Sequence, residues 1–97
     1  MKAIFISYNQ AYNEEIIDIL EKNRQRGFTR WEDIQGKGGF NGKPHFGSHG
    51  WPEMNHAVLT MVKDDKVEQI LADLKAKDEE TPELGIRAFV WNIEMFY

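Results

Sequence analysis

With 97 residues, 41% of them hydrophobic and 29% charged, the chain has the balance of one small globular domain, 1–97, whose core must be thin. A formal net charge of -4 excludes a general nucleic-acid binder, which would need clustered Lys and Arg, and the absence of cysteine excludes disulfides, thiolate zinc sites and cysteine nucleophiles. No apolar run nears the roughly 18 residues that span a bilayer, and Met1-Lys2-Ala3-Ile4-Phe5 runs straight into strand-like sequence, so a cytoplasmic protein without membrane insertion is expected.

Lys2 to Tyr8 (KAIFISY) is rich in β-branched and aromatic residues with apolar side chains for both faces, which predicts a strand covered on two sides. Asn9 or Asn13 can cap a helix in which Tyr12, Ile16, Ile19 and Leu20 share one face, with Gly27 as its stop. The basic cluster of Lys22, Arg24, Arg26 and Arg30 is diluted by Glu21, Glu32 and Asp33 and reads as a solvated helix end. Phe28 to Gln35 predicts a second strand of imperfect alternation. Gly36 to Glu53 holds six of the eight glycines and two of the three prolines, and predicts a long loop without regular structure. His56 to Val62 resumes as a strand, Asp65 and Glu68 form a capping pair, and Val67, Ile70, Leu71 and Leu74 trace a second helix. A polar stretch from Lys77 to Glu83 leads to Gly85, a closing strand from Ile86 to about Ile93, and the apolar tail Met95-Phe96-Tyr97.

The order β-α-β, long loop, β-α-β describes two split βαβ units. Interleaved, they give an α+β fold of the ferredoxin-like kind: a βαββαβ sandwich, with a four-stranded antiparallel sheet, both helices on one face and a long loop between the second and third strands. Apolar residues on both faces of the first and last strands imply that a partner subunit covers the other side.

The glycine-rich loop is the first candidate site, because glycines let backbone N–H groups approach an anion. Gly36-Lys37-Gly38-Gly39 matches neither nucleotide-binding fingerprint, since no helix opens after it. A loop this long in a compact domain favours a binding role. His45, His49 and His56 offer three imidazoles that could converge on a transition metal, although Pro44, Gly47 and Gly50 rule out a helical HxxxH arrangement and no fourth ligand is evident. Ser7, Ser48 and the acidic pairs Asp64-Asp65 and Glu79-Glu80 are too scattered to form a catalytic constellation. Of the three tryptophans, Trp31 and Trp51 could stack a purine, whereas Trp91 falls in a strand.

The element order, together with Glu32-Asp33-Ile34-Gln35-Gly36 before the glycine-rich loop, Val67-Glu68-Gln69-Ile70-Leu71, and Gly85-Ile86-Arg87-Ala88-Phe89-Val90, resembles the PII and PII-like superfamily, with CutA-like trimers as relatives. The resemblance spans nearly the whole chain. It implies a homotrimer whose loop touches a protein partner, such as a transporter or an enzyme, and whose intersubunit clefts take a small effector, with an adenine nucleotide as the leading candidate. Gly36, Lys37 and Gly38 would then lie at the loop base, and Arg87 would match the family's phosphate-contacting lysine before the last strand. Leu84-Gly85-Ile86 replaces the family's paired-glycine turn and the loop lacks a tyrosine, which points away from the nitrogen-sensing members. The expectation is a non-enzymatic regulatory protein. The alternatives are a transition-metal-binding trimer using the loop histidines, or an enzyme using the intersubunit cleft.

Overall fold

A computed structural model describes residues 1–37, 44–47 and 53–97. Strands β1 (Lys2–Asn9), β2 (Thr29–Ile34), β5 (Asn55–Val62) and β6 (Ile86–Asn92) form one antiparallel sheet in the order β2-β5-β1-β6. Helices α1 (Asn13–Lys22) and α2 (Val67–Glu80) pack on one face of it, which is the ferredoxin-like α+β arrangement. Among the described residues no helix is long and apolar enough to cross a membrane.

The core lies between that face and the helices. Ile4, Ile6 and Tyr8 of β1 alternate inward, Val58 and Val62 do so from β5, and Ile86 closes one edge. Ile16, Ile19 and Leu20 of α1 and Ile70 and Leu74 of α2 cover them, as their three- and four-residue spacing requires. The alternate residues face the other way. There Phe5 lies between Leu59 and Phe89, Ala3 between Met61 and Trp91, and Trp31 reaches to within 6.5 Å of Phe5, ring to ring. Trp31, Met61, Phe89 and Trp91 remain about half exposed, so this second face is an uncovered apolar surface.

Several local expectations change. Of the two candidate caps it is Asn9 that acts, its Oδ1 accepting from the Ala11 amide in a short 3-10 turn ahead of α1, while Asn13 accepts from the Tyr8 hydroxyl. Helix α1 stops at Asn23 rather than Gly27: the Asn23, Arg24 and Gln25 amides close back on carbonyls of the last turn, and Arg24 takes the left-handed backbone at φ 58. The Asp65–Glu68 capping pair does not form. A 3-10 turn over Asp64–Lys66 leads into α2 with no side-chain cap, and Asp64 instead accepts from the Met1 ammonium at 2.7 Å. Helix α2 also runs to Glu80, absorbing half of the polar stretch, because Lys77 pairs with Glu80 one turn on and keeps the polar sequence helical.

The long loop contains regular structure after all. Strands β3 (Gly36–Lys37) and β4 (Pro44–His45) pair as a small ribbon, and Phe46 bridges to Met54. Residues 38–43 and 48–52, among them Gly38, His49 and Trp51, lie outside the described residues. Strand β2 carries a bulge: three steps from Trp31 to Ile34 span two steps of β5, from Ala57 to Asn55, with Asp33 at φ 55. That extra residue breaks the alternation of β2 and explains its irregular sequence pattern.

Candidate functional site

Both arms of the ribbon are tied back to the sheet at the end of β5. Gly36 pairs with His45 and Lys37 with Pro44, while Glu53, Met54 and Asn55 return the chain beside them. The His45 Nδ1 lies 2.6 Å from Asn55 Oδ1 and its Nε2 lies 3.4 Å from Glu53 Oε2. Asn9, buried at the end of β1, donates from Nδ2 to the same Glu53 oxygen at 3.1 Å. The Glu53 carbonyl accepts from the Gly47 amide at 3.0 Å, and Gln35 Nε2 donates to the Phe46 carbonyl at 3.0 Å.

In this network Gly36 has a packing role. A Cβ there would run into the Asn55 side-chain amide, so glycine is what allows Asn55 to lie across the ribbon and reach His45. Lys37 is exposed and makes no ion pair among the described residues, so its ammonium is available to an anion.

The two described histidines, His45 and His56, are not brought together. Asn55 and His56 are consecutive in β5 and therefore face opposite ways, so His45, held by Asn55, is on one side of the sheet and His56 on the other. His56 is buried beside Tyr8, and its Nδ1 accepts from the Asp33 amide at 3.1 Å, satisfying the donor that the bulge turns inward. With Nδ1 accepting, its proton sits on Nε2, toward Glu32 Oε2 at 4.0 Å. Among the described residues no three His or acidic side chains are grouped as a metal would need. The three-histidine expectation therefore loses its geometry on the described pair, for a reason rooted in strand periodicity.

Arg87 stands on β6, at the far edge of the sheet. Its Nη1 donates to Asp78 Oδ2 at 3.3 Å and to the Ile86 carbonyl at 2.9 Å, while Asp78 Oδ1 accepts from the Ile86 amide at 2.8 Å. Asp78 thus fixes both the start of β6 and the guanidinium, which remains largely exposed, beside a shallow groove of about 270 Å³ between α2 and β6. The row Arg87–Ser7–Ala57–Trp31 crosses the whole sheet, three strand spacings or about 14 Å of backbone. Lys37 is not part of that sheet: it belongs to the β3–β4 ribbon, whose Gly36 lies against Asn55 at the start of β5. Lys37 and Arg87 therefore stand on different elements of the chain.

Asn9, Glu53, Asn55 and Asp78 were missed as site-forming residues. Their signal was faint: Asn9 and Asn55 are polar residues at strand ends, where sequence suggests only caps and turns. What gives them a role is that β1 and β5 are neighbours and place Asn9 opposite Asn55.

No family model matches this chain, and no curated protein matches it. Solved structures do. CPII from Thiomonas intermedia K12, a nitrogen regulatory PII-like protein bound to ADP, AMP and bicarbonate, superposes with a TM-score of 0.78 at 20% identity, over 95% of this chain and 84% of that one. Its apo form gives a TM-score of 0.73 at 18% identity, over 95% and 87%. A protein described as PII-like and signalling, from Thermus thermophilus, gives 0.67 at 20% identity, over 95% and 85%. The structural neighbours are thus PII-like proteins, and the chain has their ferredoxin-like fold.

Proposed function

We propose that this chain is a non-enzymatic, PII-like regulatory protein that binds a small effector, foremost an adenine nucleotide, in clefts between the subunits of a homotrimer. Segment 36–53 would then act on a protein partner such as a transporter or an enzyme. One observation carries the reading. Lys37 and Arg87 are exposed cations on two different elements, the β3–β4 ribbon and the edge strand β6, and under this reading a cleft would set Lys37 of one copy beside Arg87 of the next. The uncovered face of Phe5, Trp31, Met61, Phe89 and Trp91 is where copies would pack.

CPII, of the same fold, was solved with ADP, AMP and bicarbonate, which makes bicarbonate a second effector to test. Gly36 and Gly38 would contribute backbone access beside Lys37. Arg87 would exchange part of its Asp78 pairing for phosphate, a feasible trade because an exposed ion pair is worth little.

Isothermal titration with ADP, AMP, ATP and bicarbonate tests this. Saturable adenylate binding near one site per chain is expected. Arg87→Ala and Lys37→Ala should each weaken it by about tenfold, or about 1.4 kcal/mol. Adenylate affinity unchanged in both variants would end the assignment.

A further inference from the structure

Among the described residues one buried side-chain polar atom has no hydrogen-bond partner, the Nε2 of His45. The ring is 92% buried, its side chain retaining 8% of its exposure, and Nε2 lies 3.4 Å from Glu53 Oε2 without the alignment of a hydrogen bond. Its other nitrogen settles which protonation state suits that geometry. Nδ1 lies 2.6 Å from Asn55 Oδ1, and an amide oxygen only accepts, so Nδ1 carries the proton. In the neutral ring Nε2 then presents a lone pair to a carboxylate, and nothing holds them together. A second proton gives Nε2 an N–H that a small shift of the ring toward Glu53 would donate to a negative oxygen. Asn9 already fixes the receiving oxygen from the opposite side.

We propose that His45 is a proton-sensing clasp at the base of the ribbon, its protonation drawing β4 onto Glu53 and so locking the 44–47 arm against the 53–55 arm. The contact is direct. Glu53 also receives the Gly47 amide through its carbonyl, Phe46 bridges to Met54, and His45 pairs with Gly36 of β3, so the clasp joins three segments.

The groups around the ring leave Glu53 as the responder. Among the described residues no other acid lies within 4.0 Å of its nitrogens. From β1 it meets the neutral Asn9 amide bound to Glu53, from β5 the neutral Asn55, and from β3 Gly36, with Lys37 one pair farther along. His56 is on the opposite face and answers to Asp33 and Glu32 instead. The clasp needs no effector and stands whether or not adenylates bind.

The test is amide hydrogen exchange and ring nitrogen NMR on the whole protein between about pH 8 and about pH 5.5, across the imidazole range. Corrected for intrinsic rates, protection of the Gly47 amide should rise about two- to fivefold on acidification, the effect of a partly exposed ion pair. It should stay flat in Glu53→Gln and in His45→Asn. Equal rises in wild type and Glu53→Gln, or none in wild type, overturn the proposal. The ring spectrum decides independently of exchange: Nδ1 should remain protonated throughout while Nε2 gains its proton, and a neutral ring protonated on Nε2 would overturn it.

Discussion

Tyr8 shows how one buried side chain links the core to the polar end of the sheet. Its ring lies in the core, edge-on to His56, and its hydroxyl donates to Asn13 at 2.8 Å. Burial, with Arg30 and Glu32 acting in opposite directions, pushes its pKa up from 10.0 to about 12. The folded protein therefore holds this proton more tightly than the unfolded chain does. The stability it contributes is complete below pH 10 and is lost as pH rises through about 12. Urea titrations across that window should show the midpoint falling, and in Tyr8→Phe the fall should be smaller. The sequence identified Tyr8 as the end of a strand. Its partners were not legible, because Asn13 sits beyond an intervening 3-10 turn and His56 comes from a strand in the other half of the chain.

Elements were legible where their periodicity is unbroken and illegible where a single residue departs from it. Helix α2 and strands β1, β5 and β6 follow their apolar spacing, and the topology followed from their order. The end of α1 did not. Gly27 is the residue that sequence favours for a helix stop, yet the left-handed position falls on Arg24, and Gly27 serves as an acceptor for Thr60 and Gln25 in the passage to β2. That conformation is costly for an L-residue, so Arg24→Gly should raise stability by about 0.5–1 kcal/mol, net of the entropy glycine adds to the unfolded chain. A urea midpoint unmoved or lowered would show that the Arg24 side chain contributes more than its backbone costs. The ribbon β3–β4 was hidden for a different reason: two-residue strands in glycine-rich sequence carry no pattern, and their pairing depends on Asn55 and Gln35 from neighbouring elements.

For the whole molecule, the uncovered apolar face is the largest departure from what a solitary small domain would show. Its residues, Phe5, Trp31, Met61, Phe89 and Trp91, were partly visible in the doubly apolar strands β1 and β6, whereas Trp31 joined them only through the irregular β2. If copies cover it as proposed, light scattering should return three times the 11.3 kDa chain mass. Phe89→Glu, at a half-exposed position outside the core, should lower that mass toward one chain while leaving the helix signal in circular dichroism. A Phe89→Glu protein that keeps the full assembly mass would place the interface elsewhere.

The placement of Lys37 on the ribbon and Arg87 on β6 also sets the arithmetic of occupancy in a ring of such chains, if each site draws on both. With Lys37 of one chain beside Arg87 of the next, each chain would hold one half of two different sites, its ribbon serving one neighbour and its β6 the other. No ligand could then be bound by one chain alone, and none could fill a site without constraining a chain that helps to build the next. Communication between sites would need no dedicated relay, because the ribbon is held to β5 through Asn55 and β5, β1 and β6 are consecutive in one sheet.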